Sequence, residues 1–144
     1  MNAFAAGEPV RPPPSDPISI QEFVAFSQTI ADAKAFPYNV RAIVFDNPNR
    51  CFESPKCARA KLFLAITGDG ELPDYRVFDA GDAANWAFMA WPHTPTEFFD
   101  DERDFFILEL RKTIPCSSDD CGWETRKQEI VRAKISMFGF EWLR

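Results

Sequence analysis

Residues 19–46 read SIQEFVAFSQTIADAKAFPYNVRAIVFD, and the fold turns on how this stretch divides into elements. Its first part predicts a helix. Ser19 followed by Glu22 makes a capping box, with Asp16-Pro17 as an alternative start. Ile20, Phe23, Phe26 or Ser27, Ile30 and Ala33 recur at helical spacing. Phe36 precedes Pro37, which disfavours helix at the residue before it. The expectation is an amphipathic helix over residues 18–36 that buries Phe23 and Ile30. The second part alternates: Val40, Ala42 and Val44 share one face, and Arg41, Ile43 and Phe45 take the other. Period two predicts a strand from Tyr38 to Asp46.

Further along, residues 59–67 repeat that pattern, with Ala60, Leu62, Leu64 and Ile66 together. Gly68-Asp69-Gly70 reads as a tight turn. A short strand is expected over residues 75–79, completing an antiparallel meander. Asp82 is placed to cap a short helix through Trp91 that carries Trp86, Phe88 and Met89 and ends at Pro92. Thr94-Pro95-Thr96-Glu97 is a second capping box with proline at the first helical position, opening a brief helix through Phe99. Residues 105–114 alternate and read as a half-buried strand, although a helix from Thr94 through Lys112 also fits the spacing. Over residues 124–143 the apolar set is Val131, Ala133, Ile135 and Met137. Past Gly139 it flips to Phe138, Phe140 and Trp142, a phase change that suggests a β-bulge. The expected fold class is α+β: a mainly antiparallel sheet, one N-terminal amphipathic helix, and short helices after the central meander.

Upstream, Pro9, Pro12, Pro13, Pro14 and Pro17 exclude a regular helix and favour extended, polyproline-like backbone. Residues 1–17 therefore read as an arm and residues 18–144 as a single domain. The chain's 144 residues and 46% hydrophobic composition suit one domain with a core, and 15 Phe and 4 Trp supply much of it. A formal net charge of −6 argues against a nucleic-acid partner, which would need clustered Lys and Arg. No stretch is long and apolar enough to span a bilayer, and residues 1–10 lack the basic and apolar regions of a secretory signal. Neither nucleic acid nor membrane is expected as a partner.

Four cysteines fall in two expected loops: Cys51 with Cys57, and Cys116 with Cys121. All four are disulfide candidates, and closing either short loop would be worth roughly 2 kcal/mol in the chain-entropy model. A zinc site needs tetrahedral thiolates, usually in pairs two to four residues apart; the Cys116 pair fits and the Cys51 pair is wider. Free thiols are the third reading. Catalysis finds little footing. His93 is the sole histidine, and no serine or cysteine spacing joins it in a nucleophilic set. Gly68-Asp69-Gly70 lacks the lysine and spacing of a phosphate loop. The runs Asp100-Asp101-Glu102 and Asp119-Asp120 match no calcium loop. The stripe Arg126, Lys127, Arg132 and Lys134 reads as a solvated strand face or a docking surface for an acidic partner.

No catalytic residue, metal or cofactor is expected. The leading expectation is a non-enzymatic structural or assembly subunit of a large particle, such as a virion component, whose partners are protein subunits. Its arm would make the intersubunit contacts through Phe4, Val10, Arg11, Pro12, Pro13 and Pro14. The alternatives are a small acidic inhibitor or immunity-type protein in the cytoplasm, and a zinc-stabilised interaction module.

Overall fold

Alternation, not helical period, governs residues 27–35. In the computed structural model, which describes residues 17–50, 57–68, 74–96, 98–117 and 126–143, the N-terminal helix α1 covers only Ile20–Phe26. Ser19 caps it, its Oγ accepting from the Glu22 backbone N–H at 3.1 Å. At Ser27 the backbone turns extended, and strand β1 (Ser27–Ala35) takes over. Ala31, Ala33 and Ala35 alternate with Asp32 and Lys34, so the stretch fits a half-buried strand as well as a helix. Pairing with β2 (Tyr38–Asp46), in register Ala31↔Ala42 through Ala35↔Tyr38, decides for the strand. Alanine's intrinsic helix preference amounts to tenths of a kcal/mol per residue and yields to that ladder. A register shift between Thr29 and Ala31 leaves Ile30 half-buried, packed against the core from a strand and not from the expected helix.

The α+β expectation is therefore corrected: the fold is mainly β. Strands β1, β2, β3 (Ala60–Gly68) and β4 (Tyr75–Ala83) form one antiparallel meander, sheet A, in sequence order. Strands β5 (Asn85–His93), β6 (Phe106–Thr113), β7 (Gln128–Ser136) and β8 (Gly139–Leu143) form a second, sheet B. The expected helix over residues 82–91 is instead the end of β4 and most of β5. Trp86, Phe88 and Trp91 are strand-favouring residues, and Pro92 is tolerated because β5 is an edge strand paired only with β6. Among the described residues the expected helix after Thr94 is absent. Its place is taken by an irregular connection with a turn at residues 101–103. The phase change at Gly139 is a hairpin, not a bulge. Ser136 pairs with Gly139 across the two-residue loop Met137-Phe138, and Gly139 adopts φ +149°. Reversing the chain across two residues converts an odd-numbered inward set into an even-numbered one.

The sheets stack on one core. Val40, Leu62, Leu64 and Ile66 from sheet A meet Phe106, Leu108, Leu110, Ala133 and Ile135 from sheet B, all fully buried. Phe78 of β4 contacts Phe140 of β8 at 5.9 Å, and Trp86 stacks on Trp142 at 6.0 Å. At one end, the Trp86 indole N–H donates to the Ala60 carbonyl (2.8 Å) and Ala84 N–H donates to the Thr113 carbonyl (2.9 Å). The β2–β3 and β6–β7 loops both leave from that end. At the other, Phe99 N–H donates to the Phe36 carbonyl (2.7 Å), and the Tyr38 hydroxyl donates to Asp101 (3.0 Å), sealing the β1–β2 hairpin.

Candidate binding groove

The two outer faces of the sandwich differ in chemistry. On sheet A, Ile43, Phe45, Phe63, Ala65 and Val77 point away from the core. Helix α1 lies over part of this face, because Phe23 stacks on Phe45 (6.3 Å) and meets Phe63 edge-on (5.9 Å). An ion pair fastens it. The Glu22 carboxylate accepts from Arg50 Nε (2.6 Å) and Nη2 (2.7 Å) and from Asn47 Nδ2 (2.7 Å). The guanidinium is almost fully buried, sits 5.5 Å from the Phe45 ring, and also donates to the Pro17 carbonyl (3.0 Å). The hydrogen bonds from Arg50 are the main reason that the Glu22 pKa is lowered to about 2.

Beside the helix the face stays open. A groove of about 460 Å³ runs between Ile18, Ser19, Ile20 and Phe23 on the helix side and Ile43, Phe63, Ala65 and Val77 on the sheet. Its lining is almost wholly apolar. Ile20 is 84% exposed and Val77 57% exposed, so the groove's walls are themselves bare to solvent. Tyr75, also exposed, shares the outward face of β4 with Val77. At the rim Lys61 bridges Asp79 (2.9 Å) and Asp82 (3.2 Å). An apolar centre with a charged margin is the anatomy of a protein-binding patch.

Sheet B is the contrast. Its outward side chains include Arg132, paired with Glu109 at 2.8 Å, and Lys134, whose ammonium lies 4.5 Å from the Phe105 ring centroid. The expected basic stripe is thus interrupted by its own acidic and aromatic partners, as on a solvated face.

His93 sits exposed at the end of β5, its ring 4.7 Å from Phe105. Nearby Asp104 accepts from the Asp100 N–H (2.8 Å), the main cause of its lowered pKa, and from Arg103 (3.3 Å). Asp100 in turn organises a turn, accepting from Glu102 N–H at 3.0 Å. Among the described residues no group of three or more His, Cys, Asp or Glu side chains could hold a metal ion. Cys57 and Cys116 are each held in a disulfide, and a sulfur so held is not a thiolate ligand. Cys51 and Cys121 lie outside the described residues, as do Phe4, Val10, Arg11, Pro12, Pro13 and Pro14.

The groove itself was missed by sequence reasoning, yet a signal existed. Strands β2 and β3 carry apolar residues on both faces, Ile43 and Phe45 opposite Val44, and Phe63 and Ala65 opposite Leu64. That pattern marks strands that are covered on both sides. No family model, curated protein or solved structure matches this chain.

Proposed function

We propose that the chain is a non-enzymatic assembly subunit, a component of a larger protein particle, which docks protein partners through the groove beside α1. The observation that carries this reading is the open apolar groove on the outer face of sheet A. Soluble domains seldom leave apolar walls such as Ile20 and Val77 facing water beside an unfilled groove unless a partner covers them. The position of the groove adds support: Ile18 and Ser19 form its lip, so the proline-rich sequence of residues 1–17 enters the domain there.

Sedimentation of the full chain tests the reading. Self-association in the micromolar range is expected, and deleting residues 1–14 is expected to weaken it while leaving the melting temperature nearly unchanged. A chain that stays monomeric throughout contradicts the assembly role and favours the single-partner inhibitor.

A further inference from the structure

We infer that the groove between α1 and sheet A receives the proline-rich segment, residues 4–14, of a second copy of this chain. The inference rests on the assembly reading and names its partner.

Chemistry comes first. The groove presents the rings of Phe23 and Phe63, with Tyr75 on the same outward face of β4 as Val77. Aromatic-lined grooves bind proline-rich segments because pyrrolidine rings pack flat on aromatic faces. A polyproline-type chain also has little conformational freedom left to lose on docking. Residues 4–14 supply Phe4, Pro9, Val10, Pro12, Pro13 and Pro14, and only Glu8 and Arg11 among them are charged.

Geometry then selects a second copy over the chain's own arm. Ile18 is itself a wall of the groove, and Arg50 holds the Pro17 carbonyl at 3.0 Å, so the arm's root is fixed at the lip. The groove spans β2 to β4, roughly 10 Å at the usual strand spacing. The proline-rich stretch from Val10 to Pro17 covers about 20 Å at 3.1 Å per residue, which carries Val10 and Phe4 past it. Sixteen residues reach on the order of 50 Å, enough for a neighbouring subunit. Reciprocal exchange of two arms would give a closed two-fold dimer.

Complementation tests this directly. A chain lacking residues 1–14 has a groove and no arm. The full chain with Val77→Asp has an arm and a charged groove, and Ile20→Asp provides a second such variant. Melting curves first confirm that each folds. By sedimentation velocity neither alone should associate, and an equimolar mixture at tens of micromolar should give a one-to-one complex. A labelled peptide of residues 1–16 should bind the truncated chain and lose at least tenfold in affinity when Val77→Asp is added. If the intact chain associates but the mixture does not, arm and groove do not meet and the inference fails while the assembly reading stands. If the peptide binds but the intact chain is monomeric at every concentration, the groove holds its own arm, and both fail. If the peptide does not bind, the occupant is another molecule and the inference is overturned.

Discussion

Sheets A and B are built alike, four antiparallel strands in sequence order, yet their outer faces meet the surroundings in opposite ways. Sheet B alternates between a buried face of Phe106, Leu108 and Leu110 and an outer face that mixes the Arg132–Glu109 ion pair with Lys134 and the exposed Ile130. The central strands of sheet A carry apolar residues on both sides, and a helix of only seven residues covers part of the outer face. The inner faces account for the fold. The outer faces differ because that of sheet B is largely charged and solvated, whereas the apolar centre of sheet A is only partly covered. What distinguishes the two is therefore not stability but the presence of surface that the chain does not bury for itself.

Core substitutions should not distinguish the sheets at all. Leu64→Ala in sheet A and Leu108→Ala in sheet B each remove a fully buried side chain, and each should lower stability by roughly 2–5 kcal/mol in chemical denaturation. A much smaller loss in either would mean that its sheet is not part of the shared core.

The next effect belongs to sheet A alone. Arg50→Ala leaves the Glu22 carboxylate without its guanidinium and should cost about 3 kcal/mol. Its pH dependence has a definite sign. Glu22 has a folded pKa lowered to about 2 from 4.5, so its contribution is present above pH 4.5 and is lost as pH falls from there toward 2. Stability measured across that window should fall less steeply in Glu22→Gln than in the wild type. Equal slopes would remove the ion pair from the account. On sheet B, Arg132→Ala breaks an exposed pair and should change stability by less than about 1 kcal/mol.

These contrasts also show what the sequence made legible. Strands β2, β3 and β6 were readable because period two is unambiguous where Val, Ile, Leu and Phe alternate with polar residues. Residues 27–35 were not, because Ile30 and Ala33 satisfy helical spacing while Ala31, Ala33 and Ala35 satisfy strand spacing. Only the partner strand, remote in no local signal, breaks the tie. Residues 85–93 misled for a related reason: Asp82 resembles a helix cap and Pro92 a helix stop, but proline also suits an edge strand. The apolar set does change phase at Gly139, but a two-residue hairpin leaves the same parity signature as the expected bulge, and Phe138 stands exposed in the loop. The groove's sheet wall was written in the second apolar face of β2 and β3. Its helix wall was not, since the placement of α1 depends on Arg50, a charged residue in a loop that no periodicity marks as buried.

The matched pair Val77→Asp and Ile130→Asp tests the central claim, that the outer face of sheet A is the docking face. The two residues are 57% and 55% exposed, on β4 of sheet A and β7 of sheet B, and neither substitution should change stability by more than about 0.5 kcal/mol. Sedimentation equilibrium of the two variants beside the wild type should show association weakened at least tenfold by Val77→Asp and unchanged by Ile130→Asp. Equal association in both variants, or weakening by Ile130→Asp alone, would contradict it.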